Sequence, residues 1–359
     1  MKITISEPLR PHAHLPGSSC VIPFSGWKLT AYPSKVMMDN LVDGNKIDLI
    51  LDVCGPVKDF TVQQMLEEGS VKIFGFAKQG YFRYSIKQQD EGLCLFFEKL
   101  PQEGITIHFS GLSEKIESAR KIILHPKKEN DFSISLERLS LGNNKKQDWS
   151  FIRKRCDLTE IFPIWLRLGQ ILPSVNCSYE AQGVFALLEN CKSTIDHLQK
   201  DLIKQSFTDL YLAGFHSMLC PRLFDDEYQG IAPASSTALP FSALHLLSQG
   251  SKMIRSLFFQ ENVDVYHLLP CLPPEFHSGR MTGIKTSSGD RIDFEWSKKL
   301  LKKVVITVAS DKRIHLSLQK DIRAFRLKKS LSEKGAVISV GSAIICQAGD
   351  VMYLDKFQK

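Results

Sequence analysis

Phe132, Ile134 and Leu136 alternate with Ser133 and Ser135, and a two-residue period of this kind buries one face of a β-strand while the other meets water. Similar short runs fill the chain up to about Leu141: KIDLILDV, SVKIFGFA, GYFRYSI, LCLFFEKL, ITIHFSG, KIILH and DFSISLERL. They are rich in Ile, Val, Phe and Tyr, and turn formers such as CGP, EEG and DEG separate them. FTVQQMLEEG fits either period and is read as a strand. Many short strands at this spacing predict a β-sandwich.

The period then changes. In LGNNKKQDWSFIRKRCDLTEIFPIWLRLGQ, the residues Trp149, Ile152, Leu158, Ile161, Phe162, Trp165 and Leu168 recur at helical spacing. Asp157 followed by Glu160 resembles a capping box, and Pro163 falls early in the helix, where it costs least. YEAQGVFALLENCKSTIDHLQKDLIKQSFTDLYLAGFH is helical for most of its length, with Ile195, Leu198, Leu202 and Leu210 on one stripe and Glu180 at its start. PFSALHLLSQGSKMIRSLFFQ places Leu244, Leu247, Ile254, Leu257 and Phe258 on one face. Between the last two lies PRLFDDEYQGIAPASSTALP, a long loop of the sort that often carries function. From Val263 the strand texture returns in VDVYHLL, MTGIKTS, RIDFEW, KVVITVA, RIHLSLQ, AVISVG, SAIICQ and VMYL. The predicted order is a β-sandwich over 1–140, a helical domain over 141–262 and a C-terminal β-sandwich over 263–359.

Composition is compatible with that plan. The 359 residues are enough for two or three units, and 43% hydrophobic with 24% charged residues is ordinary for a folded chain. No apolar run approaches the ~18 residues of a membrane span, and the N-terminus lacks the apolar core of a signal peptide. The expected location is therefore the cytoplasm. Nine scattered cysteines with no CxxC and no zinc-type Cys/His spacing read as reduced thiols, so neither metal nor cofactor is expected. No GxSxG, P-loop, dinucleotide fingerprint or HExxH occurs.

The net charge of +7 is local, since Lys298–Lys329 holds eleven Lys or Arg against two Asp. Val, Ile and Leu alternate with those charges, and Phe325 is the one aromatic among them. This is the wet face of a sheet; the stacking rings that nucleic-acid binding favours are missing.

HLLPCLPPEF, followed by SGRMTGIKTSSGDRIDFEWSKKLLKKVVI, resembles the end of the catalytic barrel and the start of the C-terminal β-domain in glycoside hydrolase family 95. QGSKMIRSLFFQ is similar to that family's last barrel helix. The family contains inverting α-L-fucosidases and related α-galactosidases, so the resemblance implies carbohydrate as ligand and a six-hairpin helical toroid. A closed ring of about twelve helices, at ~12 residues each plus ~5 per connection, needs roughly 200 residues. The 141–262 segment can supply about six or seven helices, which implies a partial toroid. The proline loop then acts as a brace: Pro270, Pro273 and Pro274 fix φ, Leu268, Leu269 and Leu272 plug the seam, and His267 is hydrogen-bonded there.

Inverting chemistry needs one carboxylic acid and one carboxylate with a water between them. Counting back from His267, the family's base-side Asp falls on His245, and PASSTALPF has no counterpart of its acid motif. No catalytic residue is carried over. If acids survive elsewhere, LFDDEYQG is the place: Asp225, Asp226 and Glu227 as catalytic candidates, with Tyr228 to stack on a sugar. A solvated acidic turn competes with that reading. Asp148 is a second candidate acid, with Trp149 beside it to bind the sugar, against an Asp N-cap beside a core Trp. Asp196, His197, Asp209 and His216 read as exposed helix positions. Two functions follow: a glycosidase with rearranged acids, or a non-catalytic scaffold that binds a glycan or a protein. The first predicts a carboxyl pair across a cleft; the second, a concave face lined by Trp149, Trp165, Tyr211 or Phe215.

Overall fold

The computed structural model describes residues 2–126, 137–173, 181–222 and 243–359. Its first part is two six-stranded antiparallel sheets. One orders His12–Ala13, Lys58–Met65, Ser70–Ala77, Gly80–Gln89, Gly92–Lys99 and Lys121–Pro126; the other orders Leu112–Ile116, Ile105–Phe109, Lys46–Leu51, Lys35–Asn40, Trp27–Tyr32 and Ser18–Val21. Alternation sets the faces: Ile47, Leu49 and Leu51 are buried while Lys46, Asp48 and Ile50 face out. Both inner faces feed one core. Gln64, fully buried on the first sheet, donates to the Val21 carbonyl of the second at 2.6 Å. FTVQQM, whose pattern fits either period, is a strand.

Five helices follow among the described residues: α1 (Trp149–Arg155), α2 (Leu158–Gln170), α3 (Val184–Asp196), α4 (Ile203–Gly214) and α5 (Ala243–Phe258). Asp148 and Asp157 cap α1 and α2 by accepting from the N–H groups of Ser150 and Thr159. Cys156, at φ 48°, is the left-handed stop between the two helices. Glu160 does not close the expected box; it turns instead to Arg155 at 2.9 Å. The stripe predicted across α3 and α4 is corrected. Ile195 and Leu210 are buried, but Leu198 and Leu202 are more than half exposed. The helix ends at His197 and Leu198 turns left-handed, so the periodicity restarts at Ile203.

Helices α2 and α5 cross closely. A Cβ on Gly169 would stand 2.4 Å from the Leu247 carbonyl, and one on Gly250 would enter the Trp165 ring at 2.2 Å. The Trp165 indole donates to Leu247 O at 3.1 Å, and Ser251 donates to Leu166 O at 2.9 Å. All five apolar positions predicted for α5 are buried. No helix among the described residues is long and apolar enough to cross a membrane.

The C-terminal part holds a seven-stranded sheet in the order Arg138–Ser140, Ser278–Lys285, Arg291–Ser297, Leu300–Thr307, Val351–Gln358, Ala324–Lys328 and Ala336–Ser339. A four-stranded sheet joins Phe259–Asn262, Val265–Leu268, Lys312–Ser317 and Ile344–Cys346. Arg138–Ser140 precedes the helices in sequence yet pairs with Ser278–Lys285, so the chain visits this sheet before it forms the helical layer. In the basic segment, Val304, Ile306, Ile314, Leu316 and Phe325 point inward. Lys303, Lys312, Arg326 and Lys329 each meet a carboxylate.

Glu137 stitches the layers together. It is buried and takes both Oε atoms to Arg255 on α5 at 3.0 Å, while Gln170 on α2 donates to it at 2.8 Å. Arg255 also donates to the Lys285 carbonyl of the C-terminal sheet.

Candidate functional site at the proline loop

Asp225, Asp226, Glu227 and Tyr228 lie outside the described residues. The other sugar-binding candidate is corrected: Trp149 is 3% exposed and offers no ring face to a ligand. Trp165, Tyr211 and Phe215 are equally buried. Trp165 meets Phe215 edge-on at 4.7 Å, and Tyr211 stacks beside Phe215. These aromatics fill the helical core, because short helices between sheets need large rings to exclude water. They do not line a cup.

Among the described residues, the buried Glu137, Asp148, Glu160 and Asp290 each hold a partner. Glu137 holds Arg255, Glu160 holds Arg155, and Asp148 Oδ1 accepts from the Ser150 N–H and hydroxyl. Burial works against the Asp148 carboxylate, but the Ser150 hydrogen bonds and the nearby His12 and His14 outweigh it and hold its pKa below the usual value. Asp290, fully buried, accepts from Tyr266 at 2.5 Å and Ala309 N at 2.8 Å, and pairs with Lys312 at 2.7 Å. Lys312 also reaches Ser288 Oγ at 2.5 Å. That Ser–Lys contact is not a nucleophile and its base. Burial alone would lower the Lys312 pKa, but Asp290 and Tyr266 together raise it, so the amine stays charged and takes no proton from serine.

His216 departs from its predicted place as an exposed helix residue. It ends the short strand Phe215–His216, half-buried, paired with Cys220–Pro221. Burial first, then the charges of Lys28, Arg222 and Arg153, lower its pKa to about 4. The folded value lies below the unfolded ~6.5, so the fold favours neutral imidazole. Its contribution is whole above pH ~6.5 and is lost as the pH falls towards 4, roughly 3 kcal/mol in all. His216→Gln should flatten the fall in urea midpoint between pH 7 and 4; an unchanged slope would assign the acid sensitivity to other groups.

A groove of about 410 Å³ opens where the proline loop meets the helices, within the ~300–1,000 Å³ of ligand pockets. Leu158 and Phe276 form its apolar floor, and Arg155, Asp157, Thr159, Lys204 and Glu275 its polar rim. Asp157 sits there because it caps α2, and Lys204 because it lies in the first turn of α4. Glu275 follows Pro273 and Pro274, and its Oε2 is buried with no hydrogen-bond partner. A buried carboxylate oxygen without a donor is costly unless a ligand or solvent supplies one. Sequence reasoning missed this residue; its signal was its place in the rigid loop.

The loop is held from below. Leu269, at φ 56°, donates to Phe258 O at 2.8 Å, and Cys271 donates to Leu257 O, both at the end of α5. The Trp296 indole donates to Phe276 O at 3.0 Å and stacks on Phe258 at 5.4 Å. A Cβ at Gly279 would penetrate the Trp296 ring at 2.3 Å. Helix end, proline loop and tryptophan ribbon thus form one clamp. Residues 260–345, which contain that loop and ribbon, match the family model of the glycoside hydrolase family 95, C-terminal domain. Over this segment the chain is similar to glycoside hydrolase family 95. The match begins two residues beyond α5 and takes in the hairpin to Leu268, the proline loop and most of the C-terminal strands. His245, upstream of the matched segment, is buried on α5. No curated protein matches the chain.

Proposed function

We propose that this is a glycosidase-derived protein that binds carbohydrate without hydrolysing it. The relationship to family 95 supports carbohydrate as the ligand class. The loss of hydrolysis rests on the sequence count: back from His267 without gaps, the family's base-side Asp falls on His245, which cannot act as the second carboxylate of an inverting pair. The engagement of Glu137, Asp148, Glu160 and Asp290 supports it further, because a general acid needs a carboxyl free to hold a proton. In this reading 1–140 and 263–359 are the family's β-domains, and 141–262 is a remnant of its toroid, reduced until the helices fill their own centre. The groove below the proline loop takes the glycan. Glu275 accepts from sugar hydroxyls, and Lys204 and Arg155 donate to ring substituents.

Calorimetry with fucosylated and galactosylated oligosaccharides tests this. A hydrogen bond to a charged group contributes ~1.5–3 kcal/mol, so Glu275→Gln should weaken binding about tenfold or more while leaving the thermal midpoint nearly unchanged. Undiminished glycan binding in Glu275→Gln would remove the groove from the site.

A further inference from the structure

We propose that His12, His14 and Asp148 form a binding site for a divalent transition ion of the zinc type, a site separate from the groove. Each residue presents one ligand atom, and the three atoms lie within 4.8 Å of one another. The local fold brings them together. His12 is in the edge strand that pairs with Lys58–Met65, and the two-residue period puts the side chain of His14 on the same side. Asp148 is drawn to that strand by a backbone bridge to His12, with the His12 N–H donating to Gln147 O at 2.9 Å. His14 Nε2 already stands 3.8 Å from Asp148 Oδ2.

The hydrogen bonds around the cluster select the proton arrangement that a metal needs. The Thr61 hydroxyl donates to the Asp59 carbonyl, so at His14 it accepts, and His14 Nδ1 carries the proton across their 3.0 Å contact. His12 Nδ1 faces the Arg10 carbonyl at 3.4 Å, and a carbonyl only accepts. Both imidazoles therefore keep the Nε2 lone pair free, in the way that outer hydrogen bonds orient metal-bound histidines. Asp148 follows the same logic: Oδ1 is taken by Ser150, and Oδ2 is left for an ion. A set of two imidazoles and one carboxylate suits zinc-type ions, whereas calcium and magnesium prefer oxygen donors alone. Asp148 is buried and His14 is half exposed, which leaves a coordination position open to solvent. Bound there, the ion would brace the sandwich edge against the first helix.

The test uses the full chain stripped with a chelator and titrated with Zn²⁺ against a chromophoric competitor, then with Co²⁺. We expect one Zn²⁺ per chain and a cobalt spectrum of nitrogen and oxygen ligation. His14→Ala, at an exposed position, should lose at least about 100-fold in affinity, and Thr61→Val about 10–100-fold, the usual cost of an outer partner. Added Zn²⁺ should raise the thermal midpoint of the wild type and leave that of His14→Ala unmoved. The proposal is overturned if the wild type takes up no Zn²⁺, if His14→Ala binds as tightly as the wild type, or if thiolate-to-cobalt bands appear.

Discussion

Asp290→Ala is expected to cost about 3–5 kcal/mol, because removing one partner of a buried ion pair leaves the other charge uncompensated. Lys312 would lose its carboxylate, Tyr266 its acceptor, and the Ala309 N–H its only Asp290 contact at 2.8 Å. Those residues tie the Val265–Leu268 and Lys312–Ser317 strands to the turn before Arg291–Ser297, so the four- and seven-stranded sheets should loosen together. Urea unfolding at neutral pH measures this as a lowered midpoint. The pH dependence has a defined sign. The folded Lys312 pKa is raised above its unfolded value, so the pair's contribution is whole below pH ~10.4 and is lost as the pH rises through the folded value. The wild type should therefore lose stability above pH ~10.4 more steeply than Asp290→Ala. A loss under 1 kcal/mol in the variant would show that the network does not join the two sheets.

The second large effect is at the crossing of α2 and α5. Trp165→Ala should cost about 3–5 kcal/mol, the range for removing a buried aromatic ring. Gly250→Ala is the sharper probe. At an ordinary helix position that change stabilises by about 1 kcal/mol, but here the new Cβ would lie 2.2 Å from the Trp165 ring. Overpacking of that kind costs about 1–3 kcal/mol, so the clash wins and the variant is destabilised. In a Trp165→Ala background the ring is gone, and the same Gly250→Ala change should become stabilising. A reversal of sign across this double-mutant cycle identifies the contact; additive effects would refute it.

Much of the architecture was legible because period and burial coincide. Leu244, Leu247, Ile254, Leu257 and Phe258 share a face in sequence and are all buried. Strand and helix texture separate at about Leu141 because α1 and α2 carry apolar residues at helical spacing. The hairpin of Trp27–Tyr32 and Lys35–Asn40 escaped notice although Trp27, Leu29 and Ala31 alternate with Lys28 and Thr30. Leu198 and Leu202 were misassigned for a different reason: IDHLQKDL contains no Gly or Pro, so nothing local marks the left-handed break. The sites were far less legible. Glu275 meets Asp157 and Lys204 only through the fold, and His12 and His14 gain Asp148 only once α1 docks beside the first strand. Spacing along the chain carries no trace of such meetings.

The similarity to family 95 covers residues 260–345, which include the proline loop and tryptophan ribbon of the clamp. In the proposed reading, the acids that hydrolysis would need belong to the helical layer, outside the matched segment. The decisive measurement is single-turnover hydrolysis of aryl α-L-fucosides and α-galactosides, with protein in excess over substrate. The account predicts no aryl release above the uncatalysed rate, from a protein that binds the corresponding oligosaccharides. Release that disappears in Asp226→Asn or Glu227→Gln would contradict it and make the chain a working glycosidase.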